Sequence, residues 1–399
     1  MATTPDASTD ARAILDRLIA FDTVSHRPNL DLIHYARDLL AAAGARVVLV
    51  PDSTGAKANL YATVGPEGGG GVMLSGHTDV VPVEGQDWTR PPFRLTTGDG
   101  RLYGRGTADM KGFVACAMAA MLDAARRPLR TPMHLALSHD EEVGCIGVRS
   151  LIDLLAGAPA RPSMVIVGEP TDMQVATGHK GKVGMRATFH GRAGHSALAP
   201  LALNALHLGA DFVGAARAEQ ARIAADGPRD GDYDVPYTTV HVGILKGGTQ
   251  VNIVPALCVA EYEVRSLAED DADAILSRLR AAAEALAAAT GDPAARVEFV
   301  ETMRYPGLGT PPTAPIVAFV KALTGANGTI KVAYGTEGGL FAEGLGLPVV
   351  VCGPGSMAQG HKPDEYLSAE QFDRCGAMLA RLVERLENGE ALVTEVARR

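Results

Sequence analysis

Short apolar runs that alternate with helical stretches are the feature that most limits what this chain can fold into. Residues 72–74, 133–137 and 164–167 have the length and composition of buried strands. A helical stretch at about 110–126 separates the first two runs, and another helical stretch follows Gly144. This alternation is typical of an α/β layer built on a largely parallel sheet.

Histidine and carboxylate residues follow these strands at the points where the strands end. They are His77 and Asp79 after the first run, Glu141 and Glu142 after the second, Glu169 after the third, and His361 after a later run at 349–351. A glycine-rich turn at 104–112 adds Asp109. Because the carboxyl ends of parallel strands meet at one edge of a sheet, we expect these side chains to lie close together.

This set of side chains indicates a metal site. Imidazole and carboxylate groups without thiolate suit Zn²⁺, Co²⁺ or Mn²⁺. Acidic groups packed together repel one another unless cations neutralise them. A carboxylate that bridges two ions would hold them about 3.5–4 Å apart, as in two-metal hydrolases.

Each motif taken alone also has an ordinary structural interpretation. A lone histidine is more often a hydrogen-bonded loop residue than a ligand, an Asp-Glu-Glu run is usually solvated surface, and a carboxylate after a strand can cap a helix. The glycine-rich turn could cradle phosphate, but it matches neither the P-loop nor the dinucleotide fingerprint. The metal interpretation is favoured because all the motifs fall at strand ends of one predicted domain.

The pattern changes near residue 180, where a second domain is predicted. Strands at 182–190, 238–245, 257–265 and 297–300, with helices at about 201–225 and 271–289, give the order β-α-β-β-α-β. This order predicts a ferredoxin-like unit with helices on one face of a small sheet. A length of 399 residues also favours two domains. The predicted boundaries are 1–181 and 294–399 for the main domain and 182–293 for the insertion.

Charge and composition exclude several functional classes. The formal net charge is −9 and there is no basic block, so binding to nucleic acid or to an anionic membrane is not expected. No run reaches the roughly 20 apolar residues that span a bilayer, and the N-terminus does not resemble a secretion signal. The five cysteines form no CxxC pair, which favours buried thiols in a reducing compartment. We therefore expect a cytoplasmic protein.

Five stretches together resemble the M20 metallopeptidase family, and the resemblance runs from about Ala11 to the C-terminus. They are HTD at 77–79, GRGTADMKG at 104–112, DEE at 140–142, GEPT at 168–171 and GHKPDEY at 360–366. The resemblance implies a zinc-dependent exopeptidase-like catalytic domain with an inserted ferredoxin-like dimerisation domain. It also implies a homodimer that hydrolyses the amide bond of a small N-acyl amino acid.

The resemblance implies a role for each residue of the predicted metal site. The centre would hold two Zn²⁺ ions, for which Co²⁺ can substitute, with Asp109 as the bridge. The remaining ligands would be His77 and Glu169 for one ion, and Glu142 and His361 for the other. Asp79 would orient the imidazole of His77, Glu141 would be the general base on a metal-bridging water, and the peptide bond after Asp109 would be cis.

The resemblance also implies substrate-binding residues. His195 would reach the partner subunit's site and donate to the oxyanion in trans. Asn252 and Arg265 would together hold the substrate's α-carboxylate, for which the guanidinium fork of arginine is well suited. We further hypothesise that Glu337 receives a side-chain ammonium of the substrate.

Three stretches favour one branch of the family, the deacetylases of acetylornithine. They are residues 87–93, residues 334–337, and residues 353–357 continuing to 361–366. The expected reaction is hydrolysis of N-acetylornithine to ornithine and acetate in arginine biosynthesis. The alternatives are succinyl-diaminopimelate desuccinylase or another M20 N-acyl amino acid hydrolase or carboxypeptidase, and, more remotely, a non-catalytic metal-binding protein.

Overall fold

The computed structural model describes residues 10–390, and this part of the chain divides into two compact units. The first unit comprises residues 10–178, 308–332 and 336–390, and the second comprises 179–307 and 333–335. The first nine residues, on which the interpretation of the N-terminus partly depends, lie outside the described part.

The first segment of the chain supplies most of the larger unit. Its helices are α1 (Ala11–Ala20), α2 (Leu30–Ala42), α3 (Lys111–Ala124) and α4 (Val148–Ala156). Its strands are β1 (Arg46–Pro51), β2 (Ala58–Val64), β3 (Val72–His77), β4 (Thr96–Gly98), β5 (Arg101–Tyr103), β6 (Met133–Ser138), β7 (Met164–Pro170) and β8 (Ala176–His179). Helix α3 and strands β3, β6 and β7 match the elements expected from the sequence to within a few residues, whereas β4, β5 and β8 were not expected.

The middle and last segments complete the two units. The middle segment forms β9 (Gly181–His190), β10 (Gly194–His195), a 3₁₀ turn (Ser196–Leu201), α5 (Ala205–Asp226), β11 (Thr239–Gly247), β12 (Ile253–Val254), β13 (Leu257–Ser266), α6 (Ala272–Ala289) and β14 (Arg296–Tyr305). The last segment forms β15 (Leu308–Gly309), α7 (Pro315–Thr324), β16 (Ile330–Val332), α8 (Gly338–Leu345), β17 (Val349–Gly353), β18 (Tyr366–Ser368) and α9 (Ala369–Asn388).

The main sheet has the strand order β1-β2-β6-β3-β7-β17-β8-β15, with β16 paired to β8. Strands β6, β3, β7 and β17 are parallel neighbours, so their carboxyl ends lie at one edge. Every residue of β3, β6 and β7 is buried, which explains why these strands are continuous apolar runs without alternation. The sheet therefore brings the polar residues that follow these strands to the same place.

Helix α3 follows the glycine-rich turn and is buried along nearly its whole circumference. It contacts α1 and α9 as well as strands of the main sheet. A helix that is apolar on all sides must be covered on all sides. This burial fixes the N-terminal end of α3, and with it the turn that carries Asp109.

The second unit has the strand order β11-β13-β9-β14, and all its neighbouring strands are antiparallel. Its core lies between the sheet and helices α5 and α6. Within that core the Phe212 ring lies 5.4 Å from the Phe189 ring and 5.2 Å from the Tyr262 ring. The arrangement is the predicted ferredoxin-like one.

The second unit extends past the predicted end of the insertion. It continues to residue 307 instead of 293, because β14 pairs with β9 along its whole length, from Arg296 opposite His190 to Tyr305 opposite Lys182. The register shifts between Glu301 and Met303, which interrupts the apolar alternation in the second half of β14.

Two expectations from composition can be compared with the described residues. All five cysteines are buried and unpaired, as predicted. No helix in residues 10–390 is long and apolar enough to cross a membrane.

Candidate metal centre

The polar edge of the main sheet gathers the predicted ligands. His77 ends β3 and lies opposite Ser138, the last residue of β6. The turn after β6 carries Glu141 and Glu142, and Glu169 lies near the end of β7, the other neighbour of β3. Three adjacent strands thus deliver these side chains to one location, as the sequence pattern predicts.

Asp109 lies between two imidazoles. Its Oδ1 is 3.1 Å from Nε2 of His77, and its Oδ2 is 3.2 Å from Nε2 of His361. On the outer sides, Nε2 of His77 is 3.6 Å from Oε1 of Glu169, and Nε2 of His361 is 3.1 Å from Oε2 of Glu142. The five residues therefore form two half-sites that share the Asp109 carboxylate. The Asp109–Met110 peptide bond is cis, as the resemblance implies.

The geometry of this cluster fits divalent cations. Ligand atoms around a tetrahedral ion with bonds of about 2.0 Å are separated by roughly 3.3 Å, and the distances within each half-site span 3.1–3.6 Å. Among the described residues, the buried Oε1 of Glu142 has no hydrogen-bond partner. Nitrogen and carboxylate donors without thiolate suit zinc, cobalt or manganese.

The electrostatics of the centre also favour bound cations. Burial raises the pKa of Glu169 well above its usual range, and burial together with Asp109 raises the pKa of Glu142 to about 7. Burial would lower the pKa of His77, but nearby carboxylates, first Glu169 and then Asp109, raise it well above its usual value. Without metal the cluster therefore retains protons, which cations would replace.

Asp79 connects two of the loops that carry ligands. The ring Nδ1 of His77 is 2.9 Å from the main-chain oxygen of Asp79 and 3.6 Å from its carboxylate, so the carbonyl is the nearer partner of the imidazole. The carboxylate instead accepts hydrogen bonds from the Ser25 hydroxyl at 2.7 Å and from the backbone amides of Glu141 and Glu142 at 3.1 and 3.3 Å. It fixes the turn after β6 against the end of β3.

Glu141 lies at the inner side of the cluster. One of its oxygens lies within 4.8 Å of ligand atoms of His77 and Glu169, which is close enough for this carboxylate to approach a bound cation. The Cys145 thiol donates to Oε1 of Glu141 at 3.3 Å. Burial raises the pKa of Glu141 well above its usual range. Its predicted role as a base free of metal stays a prediction.

Glu337 immediately precedes α8 and lies close to the metal-facing residues. Its side chain is buried, with an exposed fraction of 1%, and it accepts a hydrogen bond from the Ser75 hydroxyl at 3.3 Å. Burial raises the pKa of Glu337 to about 7. Its other oxygen, Oε1, has no hydrogen-bond partner among the described residues, and its predicted role as the acceptor of a substrate ammonium stays a prediction.

The second unit holds the remaining predicted residues, and it separates two that were expected to act together. His195 pairs with Ile253, and Asn252 directly precedes Ile253 in the chain. The side chains of His195 and Asn252 therefore belong to one exposed region. Asn252 lies five residues before the start of β13, whereas Arg265 lies near the far end of that strand, about 26 Å from Leu257 at 3.3 Å per residue. There it bonds Glu263 at 2.9 Å and the Tyr305 hydroxyl at 3.0 Å. Asn252 and Arg265 of one chain therefore lie toward opposite ends of β13, and their joint role at the α-carboxylate stays a prediction.

Several contacts of the centre have no clear signal in the sequence. Arg105 and Glu365 are both 1% exposed and form an ion pair of 2.7 Å behind Asp109. Glu365 belongs to the GHKPDEY stretch, and this membership is the only sequence feature that points to it. Ser25 and Cys145 touch Asp79 and Glu141, yet nothing in their sequence surroundings distinguishes them from ordinary loop residues.

Comparisons with known proteins bear on the family of this chain. The family model described as peptidase family M20/M25/M40 matches residues 73–385. Acetylornithine deacetylase of Myxococcus xanthus is 36% identical over 379 residues, which cover 93% of this chain and 96% of that protein.

Solved structures with the same fold include two members of the M20 family. A metallo-carboxypeptidase from Sulfolobus solfataricus superposes with a TM-score of 0.78 at 17% identity, covering 95% of this chain and 99% of that one. A dinuclear metal-binding peptidase from Bacillus subtilis superposes with a TM-score of 0.68 at 16% identity, covering 96% and 99%. Because the family model matches residues 73–385 and the relative from Myxococcus xanthus is 36% identical over 93% of the chain, the chain belongs to peptidase family M20/M25/M40, a family of metal-dependent hydrolases.

Proposed function

We propose that this hydrolase removes the acetyl group of N-acetylornithine at a centre of two divalent cations, most simply Zn²⁺, with Co²⁺ able to substitute. The observation that carries the proposal is the Asp109 carboxylate, whose two oxygens each face a different imidazole at 3.1 and 3.2 Å. A carboxylate in this position can join two ions. The relative from Myxococcus xanthus supports the substrate, because it is 36% identical across nearly the whole chain.

We assign the ligands as the resemblance implies, with His77 and Glu169 on one side of Asp109. Glu142 and His361 lie on the other side. The bound cations would supply Lewis acidity, which polarises the amide carbonyl and makes water a stronger acid.

Glu141 performs the proton transfers in this proposal. Its carboxylate takes a proton from the attacking water, and it delivers that proton to the nitrogen of the leaving amine as the C–N bond breaks. Two features of its surroundings suit it to this task. The thiol of Cys145 holds one oxygen, and the Asp79 carboxylate fixes the backbone amide of Glu141.

We infer that a second copy of the chain completes the active site. His195 and Asn252 lie together on an exposed region of the second unit, away from Arg265 on the same chain. Around them, three apolar side chains are exposed by more than half: Leu198, Leu201 and Val251. Exposed apolar clusters of this kind mark protein interfaces. In a homodimer, the partner's His195 would donate to the oxyanion, and the partner's Asn252 and the chain's own Arg265 could meet at one carboxylate.

Two alternatives remain under this proposal. Another N-acyl amino acid, such as succinyl-diaminopimelate, would use the same chemistry with a different acyl group. A non-catalytic metal-binding protein is less favoured, because Glu141 stands beside the complete ligand set. For the favoured substrate, we propose that the reaction belongs to arginine biosynthesis in the cytoplasm. The five unpaired, buried cysteines fit a reducing compartment of this kind.

Glu141→Gln tests the proton-transfer role. The substitution keeps the side-chain volume but removes the basic oxygen, so we expect kcat to fall by about 10²–10⁴ or more while the metal content per chain stays the same. Steady-state kinetics and metal analysis of the purified protein measure both quantities. The exposed Glu384→Gln on α9 is the control and should retain activity. Turnover near the original rate in Glu141→Gln would refute the assigned mechanism.

A panel of acyl amino acids tests the substrate. With defined zinc or cobalt loading, kcat/KM for N-acetylornithine should exceed that for N-succinyl-diaminopimelate by at least about tenfold, a difference that one or two mismatched contacts can produce. A preference for the succinyl compound would refute the assignment of N-acetylornithine as the substrate but leave the proposed metal chemistry unaffected. Absence of turnover on every member of the panel would favour the non-catalytic alternative.

Glu337→Gln tests whether this residue is a buried acid or a substrate contact. In metal-free protein the pKa of Glu337 is raised to about 7, so its protonated form favours folding at low pH. That contribution is complete below about pH 4.5 and is lost as pH rises through 7, in total about 3 kcal/mol. Glu337→Gln should therefore gain stability relative to the original chain between pH 5 and pH 8, as measured by urea unfolding.

The same variant separates the two roles of Glu337 in catalysis. If the carboxylate receives the substrate ammonium, KM for N-acetylornithine should rise in the metal-loaded variant, whereas an unchanged KM would remove that hypothesis. A stability difference between the two proteins that does not vary with pH would contradict the buried-acid account.

A further inference from the structure

Glu365 lies four residues after His361 and points into the turn that carries Asp109. Its Oε2 accepts from Nη1 of Arg105 at 2.7 Å and from the backbone amide of Gly106 at 3.0 Å. Its Oε1 accepts from the backbone amides of Ala108 and Asp109 at 2.9 and 3.1 Å. One carboxylate therefore holds three amides of a single turn, including the amide of Asp109 itself.

Within the turn, the amides of Thr107 and Lys111 donate to the carbonyls of Gly104 and Gly106, and Glu365 accepts from the amides of Gly106, Ala108 and Asp109. Buried amides that lack an acceptor are costly, and two carboxylate oxygens offer enough lone pairs for all of them. Gly106 has a φ of +87°, and a Cβ there would come within 2.8 Å of Val80. Both oxygens of Glu365 are occupied by N–H donors, so the residue supports the turn and does not ligate a cation.

A second series of hydrogen bonds connects the Arg105–Glu365 ion pair to the half-site that contains His361. Nη2 of Arg105 donates to Oε1 of Gln86 at 2.6 Å, and Nε2 of Gln86 donates to the main-chain oxygen of His361 at 3.1 Å. The guanidinium also lies 5.0 Å from the Trp88 ring. The hydrogen bonds thus run from Glu365 through Arg105 and Gln86 to His361, which lies four residues before Glu365 in the chain. This network includes one metal-facing histidine and is bonded to the Asp109 turn.

We propose that Glu365 is a positioning residue of the metal centre, which holds the Asp109 turn and the His361 segment at their metal-binding separation before a cation arrives. The inference rests on the metal centre proposed above and adds a requirement to it. Two ligands that belong to mobile loops would have to be ordered by the metal at a cost in affinity. Ligands that are fixed in advance avoid that cost.

Glu365→Gln tests the proposal. The amide keeps the shape of the side chain, but its NH₂ group faces N–H donors and cannot accept from them. We expect the affinity for Zn²⁺, measured by competition with a chromophoric chelator, to fall about 10–100-fold, as is usual when an outer support of a ligand is lost.

Asp364→Asn is the matched control. Asp364 is the neighbouring residue and also accepts from backbone amides, but those amides belong to Thr89 and Arg90 and not to the Asp109 turn. Its zinc affinity should stay within about twofold of that of the original chain. Equal zinc affinity in Glu365→Gln and the original chain would overturn the proposal, and so would an equal loss in both variants.

Hydrogen exchange in the original chain decides the matter if Glu365→Gln does not fold. In metal-free protein, the amides of Gly106, Ala108 and Asp109 should exchange slowly, and added Zn²⁺ should change their protection little. Fast exchange that becomes slow only with Zn²⁺ would show that the metal orders the turn, and the proposal would fail. If the original chain binds no metal, the proposed centre itself fails, whereas the exchange measurement still reports on Glu365.

Discussion

The position of the Asp109 carboxylate between two imidazoles is the arrangement on which the rest of the site depends. Each oxygen faces one histidine, so the carboxylate defines two half-sites at once. The parallel sheet supplies His77 and Glu169 from neighbouring strands, and the turn after β6 supplies Glu142. Asp109 and His361 come from irregular segments instead, and these segments need supports of their own.

Charge explains why such a site requires partners. Asp79, Asp109, Glu141, Glu142, Glu169 and Glu337 all lie in or beside the centre and are largely buried. The protein offsets part of this charge by tying carboxylates to N–H and O–H donors, as at Asp79 and Glu365. For Glu142 and Glu169, cations are the natural compensation, since burial and the charge of Asp109 raise their pKa values and favour protonation.

Much of the fold and of the site could be predicted because the signals are local. Buried strands are apolar runs, and the residues after them necessarily meet at one edge, which is how His77, Glu142 and Glu169 were found together. The predicted boundary at 293 cut off the last strand of the insertion, which was itself predicted at 297–300, and the second half of that strand was missed because β14 loses its alternation at the irregularity between Glu301 and Met303. The sequence pattern contained no measure of the separation of Asn252 and Arg265, which follows from the length of β13 between them.

Other features of the site were beyond sequence reasoning for a different physical reason. Glu365 and Asp79 act on backbone amides, and a backbone amide is the same at every position of the chain. The motifs that contain these residues can identify them as candidates, but only the fold shows which amides they reach. The same holds for Glu337, whose burial follows from its contact with Ser75 of β3 and not from its own sequence surroundings.

Anomalous diffraction from crystals of the zinc-loaded protein, recorded on both sides of the zinc absorption edge, tests the central claim most directly. The account predicts two anomalous peaks about 3.5–4 Å apart, one on each side of the Asp109 carboxylate, with His77 and Glu169 at one peak and His361 and Glu142 at the other. A single peak that Asp109 does not contact, or no peak at this edge of the sheet, would contradict it.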